Sequence, residues 1–191
     1  MKTAHSGMIE SVRDKIVAAI KGTGNIVQAT VDTVSQILAT TFKDTGKVGT
    51  SVTDAIADVA SGAIRGAAQI GVDLTQAAKG LMVGVLRGSK EAGTEVMDTI
   101  SHAAQVAVRD TAKVGGNLEA AATGLVQGAI QGAKELGLSA EEAAAAAAQG
   151  ALKGAGEVGS TGVEAVRKAV RKPINGVKVV LKEPEMIVSA N

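Results

Sequence analysis

Large aliphatic residues recur along this chain at intervals of three and four, the signature of a helix with one buried face. The stretch 49–70, GTSVTDAIADVASGAIRGAAQI, shows the pattern. On a helical wheel Val52, Ile56, Val59 and Ile64 gather in one sector, with Ile70 at its end. Ala55, Gly62 and Gly66 line the flank beside that sector, and charged residues fill the remaining arc. The same three sectors appear elsewhere. Their flanks are Ala77, Gly84, Gly88; Ala121, Gly128, Gly132; and Ala143, Gly150, Gly154. Gln105, Gln127 and Gln149 lie on the polar arc, and His102 falls there too, at the place held by Asp58, Gly80 and Gly124 in other segments.

These segments are copies of one another. Glycine stands at 49, 71, 93, 115, 137 and 159, a constant spacing of 22. The period divides the chain into eight units opening at residues 5, 27, 49, 71, 93, 115, 137 and 159. Fixed periods of this size mark repeat architectures. Residues 80–123 and 124–167 agree at 14 of 44 positions, whereas the units opening at 71 and 93 share only two residues. The module is therefore a 44-residue pair of helices. Short connections between the helices make the array run up and down.

Each unit carries its own start and stop. The third position is Ser51, Asp73, Glu95, Asn117, Ser139 or Thr161, mostly types that cap a helix N-terminus. Three residues later come Asp54, Gln76, Asp98, Glu142 and Glu164, the capping-box spacing, with Ala120 the exception. Lys21, Lys43, Arg65, Arg87, Arg109 and Lys153 sit near helix ends, where the helix dipole favours a cation. The unit-opening glycine suits the left-handed residue that ends a helix. A continuous helix with an eleven-residue phase would need none of these signals. The pattern predicts helices of 17–20 residues joined by tight turns.

Interior glycine costs a helix about 1 kcal/mol relative to alanine. Eight such residues, Gly62, Gly66, Gly84, Gly88, Gly128, Gly132, Gly150 and Gly154, form Gly-x-x-x-Gly pairs. Close approach of a neighbouring helix compensates that cost. Phosphate binding does not fit, because it needs a strand feeding the glycine-rich loop. The fold class expected is an all-α antiparallel array or solenoid of about eight helix-turn repeats over residues 5–172. Residues 1–4 form an arm and 173–191 a tail. Pro173 stops the last helix near Arg171 or Lys172, and the tail is expected to be irregular or short β, with the run from Val177 to Lys182 the strand-like part, without a partner.

Composition narrows the chemistry. Among 191 residues there are 24 Gly, one Phe and no Trp, Tyr or Cys. Disulfides, thiolate metal sites and stacking of bases on aromatic rings are excluded. The net charge of +1 supplies no long-range field toward polyanions. His5 and His102 stand apart and read as solvated residues, no metal-ligand spacing occurs, and the recurrent carboxylates are caps. Neither an enzyme nor a cofactor is expected. One cluster stands out: Arg167, Lys168, Arg171, Lys172, Lys178 and Lys182, six cations in sixteen residues. It reads as a solvated helix end or as a contact for an anionic partner, nucleic acid among them. The N-terminus has no secretory apolar run, and a cytoplasmic location is expected.

The amphipathic 11/22-residue period, rich in Lys, Glu, Thr, Val, Ala and Gly, resembles apolipoprotein-like, perilipin-like and late-embryogenesis-abundant proteins. That resemblance implies binding to lipid surfaces or protection against desiccation, and it carries no site residues. The repeat itself points to a structural, scaffold-like protein whose partner is a further copy of itself. The alternatives are a coat on lipid or polymer granules and anionic-partner binding through the basic segment.

Overall fold

The computed structural model describes residues 2–44, 51–92 and 95–181, with eight helices and no named strand among them. They are α1 (Lys2–Thr23), α2 (Ile26–Asp44), α3 (Val52–Gln69), α4 (Leu74–Ala92), α5 (Val96–Lys113), α6 (Leu118–Leu136), α7 (Ala140–Val158) and α8 (Ser160–Arg171). Helices α3 to α7 begin at residues 52, 74, 96, 118 and 140, a step of 22.

The ends form as the local chemistry dictates. Ser51 Oγ accepts the Asp54 amide at 3.1 Å, Asn117 Oδ1 that of Ala120 at 3.0 Å, and Ser139 Oγ that of Glu142 at 3.2 Å. Asp73 Oδ1 takes the Thr75 amide at 2.7 Å. Glu95 precedes α5 without a side-chain cap, and Thr161 lies inside α8, which starts one residue earlier after Gly159. Asn25 caps α2 through Gln28, a cap that the unit register does not mark. At the other ends Gly115 and Gly137 adopt φ of +69° and +73°. There the next amides turn back to Thr111 and Ala133 carbonyls at 2.8 Å, which closes each helix with a Schellman-type turn. Gly49 and Gly93 lie outside the described residues.

Packing follows a two-layer plan. The most extensive contacts join helices two apart, α4 with α6, α2 with α4, α5 with α7 and α1 with α3; α3 with α5 and α6 with α8 pack in the same sense but less extensively, below the sequential pair α6 with α7. Successive helices form antiparallel hairpins that bridge the layers, so helices within a layer run parallel. Fully buried aliphatics, among them Ile16, Leu38, Ile64, Leu81, Leu86, Ile100, Leu125 and Ile130, form one continuous core. Each such side chain contributes roughly 1.5–3 kcal/mol by leaving water.

The N-terminal boundary differs from expectation, and of the two forms expected for the tail the irregular one is found among the described residues. The helical backbone of α1 begins at Lys2, so residues 2–4 extend that helix instead of forming an arm. In the tail, Asn175 and Gly176 take φ of 49° and 79° and fold Ile174 against Val177 as one isolated bridge. No strand follows within the described residues, because the segment after Val177 has no edge to pair with. Ile174 and Val177 are buried and join the core instead.

Candidate functional site

The glycines mark the junctions between layered helices, and each row faces the helix two places earlier. A Cβ added at Gly62 would lie 2.6 Å from Val12 Cβ on α1, and one at Gly66 would lie 3.0 Å from the Arg13 carbonyl. Gly84 and Gly88 of α4 meet Val34 and Leu38 of α2 at 2.7 and 2.8 Å in the same sense. On α6, Gly128 abuts the Lys79 carbonyl of α4 and Gly132 abuts Leu86. On α7, Gly150 and Gly154 press on the Ser101 and Gln105 carbonyls of α5. At Gly66, Gly128, Gly150 and Gly154 backbone thus meets backbone, while at Gly62, Gly84, Gly88 and Gly132 it meets a branched or aliphatic side chain of the facing helix. Gly80 and Gly124 extend two of the rows by one turn, against Val27 and Thr75. This position was read as part of the polar arc, yet it faces the neighbouring helix.

The repeated cations work across the same junctions in the opposite direction. Arg87 of α4 donates from Nε and Nη2 to Glu135 Oε2 of α6 at 3.0 and 2.8 Å. Arg65 of α3 reaches Asp110 of α5 at 3.5 Å, and Arg109 of α5 reaches Glu157 of α7 at 3.7 Å. They tie one helix to the next in its layer as well as serving the helix dipole. Glu135 is held below the ordinary carboxylate range by the hydrogen bond from Gln131; burial opposes this, and the hydrogen bond and charge of Arg87 add to the lowering.

The α3–α5 junction differs. Where other helices carry a small-residue row, α5 presents His102, Val106 and Asp110. The Asp110 side chain is 1% exposed and lies 3.2 Å from Lys113 and 3.3 Å from Arg109. Burial pushes its carboxyl upward, but hydrogen bonds from Ser61 and Lys113 and the nearby cations outweigh that and hold it low. His102 packs over the Thr53 backbone of α3, its Nε2 buried without a hydrogen-bond partner, and burial lowers its pKa. His5 of α1 lies on the other side of α3, with Nδ1 2.9 Å from Oδ2 of the buried Asp58. The hydrogen bond and charge of Asp58 raise the His5 pKa, and desolvation raises that of Asp58. Both histidines make interhelical contacts, but only His102 departs from the solvated reading, since the His5 side chain remains 44% exposed beside Asp58. Val52, Thr53, Ile56, Glu95, Asp98, Thr99 and His102 border an open groove of about 440 Å³ beside this seam. Among the described residues no group of three or more His, Asp or Glu is placed to hold a metal ion.

At the C-terminal end Arg167, Lys168, Arg171 and Lys172 line one groove of about 530 Å³, together with Glu164. Lys168 reaches Glu119 of α6 at 3.3 Å. Lys178 is exposed beyond the Asn175–Gly176 turn and does not line the groove, and Lys182 lies outside the described residues. The apolar side of α8 is committed to the array, with Val166, Ala169 and Val170 buried. No described helix is long and apolar enough to cross a membrane.

The chain matches no known protein family and no curated protein sequence. Among solved structures it is similar to a de novo designed helical repeat protein, with a TM-score of 0.54 and 19% identity over 90% of this chain and 95% of that one. The likeness is one of fold: both are helical repeats.

Proposed function

We propose that the protein is a non-enzymatic structural scaffold that assembles with further copies of itself. The observation that carries this reading is the one-sidedness of its junctions. Every glycine row receives the ridge of the hairpin before it, so the array is directional and its two ends are unlike. Light scattering coupled to size exclusion over a wide concentration range tests the reading. Mass that rises with concentration supports it, and a monomer throughout refutes it.

A second reading draws on the groove formed by Arg167, Lys168, Arg171 and Lys172: contact with an anionic partner. Salt-sensitive binding to a polyanion, lost on replacing Arg167 and Arg171 with Gln, would favour it. A granule or lipid coat requires the helices to open, because their aliphatic sectors form the core. Helical circular dichroism that appears only with vesicles would favour the coat.

A further inference from the structure

We propose that Asn175 is a site of spontaneous covalent modification, and that losing its side-chain amide releases the tail packed on the core after α8. The chain has four asparagines, Asn25, Asn117, Asn175 and Asn191, and Asn175 is the one followed by glycine. Two of the others are held in place. Asn25 Oδ1 accepts the Gln28 amide and Asn117 Oδ1 the Ala120 amide, both at 3.0 Å. Bulky Ile26 and Leu118 crowd the main-chain nitrogens that follow them. At 175 these obstacles are missing. Asn175 and Gly176 are exposed, and nothing lies within 4 Å of a Cβ built at Gly176. Neither the Asn175 side chain nor the Gly176 amide makes a hydrogen bond among the described residues.

The reaction needs only water. Gly176 N, deprotonated, attacks Asn175 Cγ; the new carbon–nitrogen bond forms, the Cγ–Nδ2 bond breaks, and Nδ2 leaves as ammonia with a proton returned by solvent. Water then opens the cyclic imide at either carbonyl. Opening at Cγ leaves aspartate on the original main chain, and opening at the other carbonyl leaves isoaspartate, whose main chain runs through Cβ and Cγ. Lys172 and Lys178 stand three residues to either side, and their charge favours the anionic nitrogen.

The turn decides the consequence. Asn-Gly with φ of 49° and 79° suits a two-residue turn of type I′, across which Ile174 and Val177 exchange both main-chain hydrogen bonds at 2.9 Å. So small a ladder opens locally at little cost, which lets Gly176 N reach Cγ. Aspartate tolerates the left-handed φ as asparagine does. Isoaspartate adds a methylene to the main chain, and the turn no longer sets Ile174 opposite Val177. Both are buried, and Val179 and Leu181 pack against the same core, so the segment they anchor comes away with the turn.

Peptide mass spectrometry of the full chain, held in warm and mildly alkaline buffer, tests the site. Amide loss should occur at Asn175 while Asn25 and Asn117 keep theirs. An isoaspartyl methyltransferase with S-adenosylmethionine should label the incubated parent and leave Asn175→Gly blank, because glycine keeps the turn and has no amide to lose. Hydrogen exchange on the isoaspartyl chain should show lost protection at the Ile174 and Val177 amides. Asn175→Asp, with the charge on an unaltered main chain, should retain it. An Asn175 amide as durable as that of Asn117 overturns the site. Conversion to aspartate alone, or an isoaspartyl chain that still protects Val177, overturns the release.

Discussion

Alanine substitution at two glycines of the same helix separates close packing from helix propensity. A Cβ at Gly150 would clash with the Ser101 carbonyl oxygen and lie 2.7 Å from its carbon and 2.8 Å from the Ser101 Cα. Ordinary contact begins near 3.4 Å, so the carbon alone forces α7 back from α5 by about 0.7 Å, and the nearer oxygen asks for more. The obstacle is main chain inside a helix, which cannot rotate aside as a side chain does. A gap of that size forfeits about a quarter to a half of the dispersion energy between facing atoms. The strain belongs at the upper end of the overpacking range, about 3 kcal/mol. Alanine's better helix propensity returns about 1 kcal/mol, leaving a net loss of about 2 kcal/mol. For a chain of this size that lowers Tm by about 4–8 °C. Gly156, six residues on, has nothing within 4 Å of an added Cβ. There the propensity gain stands alone, and Tm should rise by about 2–4 °C. Thermal melts followed by circular dichroism at matched protein concentration compare the two variants. If Gly150→Ala stabilises as much as Gly156→Ala, close approach of α5 and α7 is not the reason for the glycine row.

The titratable groups at the α3 contacts give a pH test. The raised pKa of His5 makes its contribution complete below about pH 6.5 and lost as pH rises through the folded-state value, so His5→Ala should destabilise near pH 6 and much less near pH 9. For His102, lowered by burial, the sign is opposite: its contribution is present above about pH 6.5 and lost as pH falls through the folded-state value. NMR titration should place the midpoint of His5 above that of His102, and the reverse order would contradict both contacts. Asp110→Asn should cost about 2 kcal/mol in urea unfolding near neutral pH, because it removes a buried charge with three cations around it. That cost should shrink in acid, since the low folded-state pKa stabilises above the unfolded value and is lost as pH falls through the folded one. A double-mutant cycle on Arg87 and Glu135 should return a coupling of about 0.5–1 kcal/mol, and a coupling of zero would show that the pair is only a surface coincidence.

The helices were legible because their punctuation is local. Ser51, Asn117 and Ser139 act on amides three residues away, and Gly115 and Gly137 act through their own φ, so a single strand of text contains the whole interaction. The flank of small residues was legible as a packing surface for the same reason. Its partner was not. A wheel tells which side of a helix is smooth but not that α7 lays that side on α5, two helices back, in preference to α6. The tenth position of each unit shows the limit: Asp58, Gly80, His102 and Gly124 look polar or neutral on the wheel, yet all four contact a helix of the same layer. Arg65, Arg87 and Arg109 repeat for a dipole reason that is visible locally and for an ion-pair reason that emerges only once α5, α6 and α7 are in place. In the basic cluster, four residues within one and a half turns of α8 share a groove, while Lys178 is carried off by a turn whose Asn-Gly chemistry went unread. The four-residue spacing 80–84–88 and 124–128–132 was the one available signal for the longer rows.

The α3–α5 junction sets apart one joint of an array whose even spacing suggests that all joints are alike. On one edge of the stack α6 lies against α4 with glycine at three successive turns; on the other, at the same level, α5 inserts His102, Val106 and Asp110 before it reaches α3. Side chains therefore stand between α5 and α3 at the level where glycine lets α6 touch α4, and α3 and α5 share the sparser contact of the two pairs. One changed row in α5, with no loop or insertion, is enough to replace a joint of backbone on backbone with one of ion pairs and a buried imidazole.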